Sequence, residues 1–186
     1  VVKEITLDMA GNMGLIAKRC FPNATRVTDR FHVQKLASEA LQEIRIKHRW
    51  EAIDQENDAI EKAKKLKVNF EAIILSNGDT LKQLLARSRY FLYKTKSKWT
   101  QNQTERATLL FELYPHIQKG YSLTQELRNI FENTKDKIIG FAKLAKWHEK
   151  VNQSGFKSFG TISRTIMNHY QTILNYFDNR STNASA

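Results

Sequence analysis

The sequence predicts a mainly α-helical protein that begins with a short β-α-β unit. The chain of 186 residues contains only 7 Gly and 2 Pro, so few residues interrupt helices. Lys, Glu, Gln, Leu and Ala, which favour helices, are abundant. Residues 1–30 differ from the rest, because short β-branched stretches flank an amphipathic segment there.

The two predicted strands are Val1–Leu7, which ends at Asp8, and Thr25–Thr28, which ends at Asp29. A crossover with short connections makes such strands parallel. Asp8 and Asp29 should therefore lie at the same edge of the sheet, and if the strands are neighbours they are spaced about 4.8 Å apart.

A helix is predicted between the strands, from Asn12 to Cys20. Its apolar residues follow the i, i+3, i+4, i+7 spacing of a single helical face, and they are Met13, Ile16, Ala17 and Cys20. The segment Phe21–Ala24 contains a proline and should end this helix.

From Val33 onward the pattern is helical, first over a long stretch to about Leu66. Ser76–Asp79 is typical of a turn, and Asp79 or Thr80 could cap the helix that follows. Gly155 and Gly160 should bracket a break near Phe156. The later helices are expected at 80–94, 101–114, 117–133, 135–151 and 159–177.

The composition points to a polyanionic partner. Lys and Arg number 30 against 19 acidic residues, which gives a net charge of +11. An excess of this size favours nucleic acid, although a merely soluble helical surface is the alternative. No apolar run reaches the roughly 18–20 residues that a membrane span needs. The single cysteine, Cys20, excludes an internal disulfide and fits a cytoplasmic location, and the scattered histidines argue against structural zinc.

Asp8 and Asp29 are the first candidates for chemistry. Carboxylates at the carboxyl ends of parallel strands can hold Mg²⁺, which prefers oxygen ligands and keeps several waters. The alternative is that both residues only cap the helices that follow them. His32 could orient a ligand or contact a phosphate, but packing beside Phe31 is the more common role of such a residue.

A second group of candidates is basic and would bind DNA. Its members are Arg87, Arg89, Lys94, Lys96 and Lys98. They alternate with Tyr90, Phe91, Tyr93 and Trp99, and cations with aromatic rings are the usual means of contacting phosphates and bases. In the alternative interpretation Phe91 and Leu92 belong to the core, as Trp147 does, and the lysines are simply solvated.

Taken together, these segments resemble the DDE transposases of bacterial insertion sequences. The amino-terminal match consists of the strand ending in Asp8-Met9, a helix, Phe21–Ala24, a strand and Asp29–Val33. Further matches are 84–90, 99–103, 121–131 and 173–183, the last of which contains the Asn-Arg-Ser-Thr-Asn run.

The resemblance implies an RNase H-like catalytic core interrupted by a long helical insertion. Residues 1–33 would be part of that core, 34–175 the insertion, and 176–186 the start of the return to the core. It also implies an Asp-Asp-Glu triad that binds two Mg²⁺ ions, with Mn²⁺ as an alternative. Asp8 matches the second Asp, and Asp29 lies on what would be the next strand; the sequence leaves open which of them binds metal.

The remaining triad members are expected outside the chain, the first Asp before Val1 and the Glu shortly beyond Asn183. The intact enzyme would then cleave and transfer DNA strands, as a homo-oligomer assembled on DNA, while these residues alone would be inactive. Two other interpretations stay open: a non-catalytic helical module that binds nucleic acid, and a protein-interaction bundle whose charge serves solubility.

Overall fold

A computed structural model describes residues 1–9, 11–180 and 182 of the chain. The fold is mainly α-helical, as predicted, and it divides into two compact units. The first unit contains Val1–Ala40 and Ser122–Ala186, and the second contains Leu41–Tyr121. The domain boundaries predicted at 33 and 175 concern the catalytic core of the whole protein and stay a prediction.

The amino-terminal residues form the predicted β-α-β unit. Strand β1 is Glu4–Leu7, helix α1 is Gly11–Cys20 and strand β2 is Thr25–Thr28. The strands pair in parallel, from Glu4 opposite Thr25 to Leu7 opposite Thr28. The crossover argument is therefore confirmed, although β1 is shorter than expected.

The predicted apolar face of α1 is mostly wrong. Ala17 is buried, but Met13 is 48% exposed, Ile16 is 53% exposed and Cys20 is also exposed. The periodicity correctly predicts a helix, but in the described part of the chain its sheet has only two strands and covers little of the helix.

The remaining helices largely follow the predicted order. They are α2 (Arg30–Leu66), α3 (Leu81–Leu92), α4 (Gln101–Leu113), α5 (Pro115–Asn133), α6 (Lys137–Ser154), α7 (Lys157–Asn168), α8 (Tyr170–Leu174) and α9 (Tyr176–Asn179). No helix among the described residues is long and apolar enough to cross a membrane.

Two local predictions are wrong near the carboxyl end. The helix predicted over 159–177 is interrupted at His169 and Asn175, which separate α7, α8 and α9. Asn175 is held there by tertiary contacts, since its Nδ2 donates to the Arg26 carbonyl at 2.9 Å and its Oδ1 accepts from Lys137 at 2.8 Å. Gly155 does end α6 with a left-handed φ of 74°, but Gly160 lies inside α7. Of the predicted closing run, Ser181 and Asn183 lie outside the described residues.

The first unit packs its helices around β2 and the beginning of α2. Trp147 is fully buried, as predicted, and its Nε1 donates to the Leu123 carbonyl at 2.9 Å. Thr28 of β2 shares a hydrogen bond of 2.7 Å with Thr172 of α8. Burial of large apolar side chains supplies most of the stabilisation of such a core. The buried side chains of this unit include Val27, Val33, Leu127, Phe131, Phe159, Tyr176 and Phe177.

The second unit is built from the later part of α2, α3, α4 and the beginning of α5. Thr80 caps α3 and is one of the two caps that the sequence left open. Thr100 caps α4. Both form a capping box, in which the threonine hydroxyl accepts the backbone N–H of the glutamine three residues on and the glutamine side chain accepts the threonine N–H. The core interpretation of Phe91 and Leu92 is confirmed, because both are buried. Phe91 also packs edge-on against Trp99, with ring centroids 5.5 Å apart.

Candidate functional site

Asp8 lies directly after β1, at the carboxyl end of the parallel strands. Its side chain is exposed. It lines a cavity of about 200 Å³ together with Met9, Thr28, His169 and Thr172. The carboxyl edge of a parallel sheet is where open sheets place their ligands, so Asp8 has the position that the sequence predicted.

Asp29 lies at the same edge but in a different environment. Its backbone N–H donates to the Leu7 carbonyl at 2.8 Å, which continues the strand ladder by one residue. The residue is only 3% exposed, and its Oδ1 accepts the Phe31 N–H at 2.9 Å. Asp29 therefore caps α2. Whether its carboxylate also holds a metal ion stays a prediction.

Two neighbours of Asp29 complete this end of α2. His32 is half-buried in the first turn. Arg30, which sequence reasoning passed over, has its guanidinium 4.7 Å from the Phe31 ring centroid and 5.8 Å from that of Tyr176. Its Nε–H is buried and finds no acceptor among the described residues. Arg30 contacts Tyr176, which is distant in the sequence, so no local sequence pattern could indicate this contact.

The two aspartates fit a divalent ion only in part. Mg²⁺ is often held by one or two carboxylates and several waters, so the exposed carboxylate of Asp8 suits such a site. Among the described residues, however, no three His, Cys, Asp or Glu side chains come together as a metal site. These residues offer Asp8 as a ligand and Asp29 as a neighbour, and they do not offer a three-carboxylate centre.

Among the predicted DNA-binding residues that the structure describes, Arg87 is the one engaged by a carboxylate. Its Nη1 binds Oδ1 of Asp79, a fully buried residue, and Arg106 donates to Oδ2 of the same carboxylate at 2.9 Å. Asp79 thereby links the turn before α3 to both α3 and α4. The Arg87 side chain is still 51% exposed, so the ion pair occupies one edge of its guanidinium.

The other predicted basic residues lie on the same unit. Arg89 on α3 is exposed, as are Lys96 and Lys98 in the single 3₁₀ turn before α4. Lys94 is half-buried and its Nζ donates to Gln103 at 3.5 Å. Tyr90 and Tyr93 are exposed beside them, whereas Phe91 belongs to the core.

A further group of arginines was not singled out from the sequence. Arg45 on α2 is only 5% exposed, and its Nη1 donates to the Leu85 carbonyl of α3 at 2.8 Å. Burial lowers the pKa of the Arg45 guanidinium, and the charges of Arg49 and Arg89 lower this pKa further, while Tyr93 acts in the opposite direction. Arg45, Arg49 and Arg89 are called the arginine cluster below. A charged residue one turn after the buried Leu41, on the apolar ridge of α2, is the sequence signal that could have revealed it.

The fold and these features define a basic helical protein with carboxylates at the edge of a parallel β-α-β unit. A transposase family model matches residues 1–186, and the chain belongs to this family. The resemblance seen in the sequence is thereby confirmed. No curated protein gives a significant match, and neither does any solved structure.

Proposed function

We propose that the chain belongs to an enzyme that cleaves and transfers DNA strands with divalent metal ions, and that Asp8 is a metal ligand. Membership of the transposase family supports the general reaction. The exposed carboxylate of Asp8 at the carboxyl end of β1 is the observation that carries the assignment.

The residues at this edge of the sheet would have different roles in the reaction. When bound, two Mg²⁺ or Mn²⁺ ions supply Lewis-acid stabilisation of the attacking and leaving oxygens in phosphoryl transfer. Asp8 would hold metal at the sheet edge. Asp29 fixes the start of α2 through its bond to the Phe31 N–H, and so positions His32, which we assign to contact with substrate phosphate.

DNA is the proposed partner, and the net charge of +11 supports it. Arg87, Arg89, Lys94, Lys96 and Lys98 would contact the phosphate backbone within a helical insertion that spans residues 34–175. Assembly of several copies on DNA, and a location in the cytoplasm, complete the proposal.

Cleavage of a transposon-end duplex by the complete gene product in Mg²⁺ tests the assignment. Asp8→Asn keeps the shape of the side chain but removes its charge. It should therefore lower the cleavage rate by about a hundredfold or more, while duplex binding persists. Asp136→Asn is the matched control, because Asp136 caps α6 through the Ile139 N–H at 2.8 Å in the way Asp29 caps α2.

Asp29→Asn then separates the two roles of that residue. Asn caps a helix about as well as Asp, so a pure cap predicts wild-type cleavage, as for Asp136→Asn. Loss of cleavage with intact folding would make Asp29 a metal ligand. If Asp8→Asn cleaves as well as wild type, the assignment of Asp8 is wrong, and unless Asp29→Asn is inactive the chain is better explained as a non-catalytic module that binds nucleic acid.

A further inference from the structure

The arginine cluster places three positive charges where α2 and α3 meet inside the second unit. Arg45 is held there by two hydrogen bonds, from Nη1 to the Leu85 carbonyl at 2.8 Å and from Nε to Gln42 Oε1 at 2.5 Å. Arg49 follows Arg45 by one turn of α2, and Arg89 follows Leu85 by one turn of α3. Arg45 is therefore a buried arginine near two exposed ones, both close enough for their charges to lower the pKa of its guanidinium.

No carboxylate of the described residues balances this charge. None of the three arginines lies within ion-pairing distance of a described Asp or Glu, whereas Arg87 and Arg106 share the carboxylate of Asp79. Burying a guanidinium without a counter-charge is unfavourable, and like charges nearby add to the cost. An arrangement that opposes folding in this way is expected where an anion binds.

We propose that Arg45, Arg49 and Arg89 form a notch that binds one phosphate group of the DNA backbone. This inference rests on the proposed DNA-handling function. Arg49 and Arg89 are exposed and can donate to the phosphate oxygens, and the planar guanidinium matches the geometry of two such oxygens. Arg45 supplies a fixed positive charge nearby, held in place by the Leu85 carbonyl.

A polymer backbone suits the notch better than a free phosphate ion. Arg49 and Arg89 are open to solvent, as a strand that passes over the surface requires. Exposed Tyr90 and Tyr93 follow Arg89 on the same unit, and Lys96 and Lys98 extend the positive surface beyond the cluster. Aromatic rings among cations are typical of nucleic-acid surfaces.

The test compares Arg49→Gln, Arg89→Gln and the double variant in the full 186-residue chain. Both positions are exposed, so the variants should fold. The control is Lys47→Gln combined with Lys62→Gln, which removes the same charge from other exposed positions on α2. Binding of a labelled duplex of about 20 base pairs is measured by fluorescence anisotropy across a range of salt concentrations.

The expected result follows from counterion release. Losing one phosphate contact should flatten the logarithmic salt slope by about one, and it should weaken binding about eightfold near 0.1 M salt. Because the two arginines would share one phosphate, the double variant should lose no more slope than the more affected single variant. If each single variant flattens the salt slope by about one and the double variant flattens it by about two, the two arginines contact separate phosphates, and the single-phosphate notch is overturned.

The remaining outcomes separate the notch from the proposed function. Binding by the double variant that matches the control would overturn the notch and leave the proposed function standing. Failure of the wild-type chain to bind any duplex at low salt would overturn the DNA assignment and the proposed function together. Inorganic phosphate, tested by thermal shift, distinguishes the source of the phosphate: a stabilisation lost in the double variant, with unchanged duplex binding, would overturn the DNA notch and assign it to free phosphate instead.

Discussion

Gly140 shows how strongly a single position can depend on its neighbour. A Cβ placed on Gly140 of α6 would lie 2.7 Å from Cε2 and 2.9 Å from Cδ2 of Phe177. The Phe177 ring has little freedom to move, because it is buried and stacks on Phe131 with centroids 5.8 Å apart. The absence of a side chain at Gly140 is therefore what lets α9 approach α6.

Gly140→Ala should destabilise the fold. Overpacking a core typically costs about 1–3 kcal/mol, against a gain of about 1 kcal/mol from helix propensity. We expect a net loss of up to about 2 kcal/mol in the free energy of unfolding, measured by urea denaturation. Gly160→Ala is the matched control, because a Cβ at that position of α7 would meet no described atom within 4 Å outside its own helix. It should gain about 0.5–1 kcal/mol, and equal stability of the two variants would contradict the packing argument.

Arg180 acts on a whole helix, because its guanidinium caps the carboxyl end of α5. Nη1 donates to the Thr134 carbonyl at 2.8 Å, and Nη2 donates to the carbonyls of Phe131 at 2.9 Å and Glu132 at 3.0 Å. These carbonyls belong to the last turn of a helix or follow it, where partners are missing within the helix itself. The positive charge also suits this end of the helix dipole.

Arg180→Met should therefore weaken the end of α5. Arg180 is exposed, so water replaces part of what is lost, and we expect a cost of about 1–2 kcal/mol. The melting temperature should fall by about 2–8 °C, measured by circular dichroism. Arg164→Met removes another exposed arginine, whose side chain makes a single hydrogen bond of 3.4 Å to the described residues, and it should melt within about 1 °C of wild type. A matching shift in both variants would show that charge alone, and not capping, is responsible.

Local patterns predicted most elements of this fold, because each depends on neighbours in the sequence. The strand Thr25–Thr28 and the end of α2 at Leu66 were predicted at the residues where the structure has them. The breaks at His169 and Asn175 were missed because Asn175 is held by Arg26 and Lys137, which are distant in the sequence.

In the candidate sites, too, the features that depend on sequence neighbours were predicted, and those that depend on tertiary contacts were not. Periodicity and strand order place Asp8 and Asp29 at one edge without any coordinates. Burial, which separates the exposed Asp8 from the capping Asp29, depends on what packs against each residue and so required the structure. Arg45 stands on the apolar ridge of α2, but the Leu85 carbonyl that holds its guanidinium is distant in the sequence, so this partner required the structure.

At the scale of the whole molecule, the net charge sets the electrostatic attraction of the protein to a polyanion. An excess of 11 positive charges attracts DNA before any specific contact forms. Several of the ion pairs among the described residues are exposed and therefore weak. Arg49, Arg89, Lys96 and Lys98 are exposed and can contact phosphate.

This charge predicts binding to arbitrary duplexes that is strongly weakened by salt. Each phosphate neutralised releases condensed counterions, so contact with about six phosphates would lower affinity about a thousandfold between roughly 50 and 200 mM salt. Anisotropy titrations with an unrelated duplex measure this, and sucrose at matched osmolality is the control that separates ionic from osmotic effects. Affinity that does not change with salt would mean that phosphates are not the main contact. An absence of binding even at the lowest salt would instead favour a bundle that interacts with proteins, whose surplus charge serves only to keep it in solution.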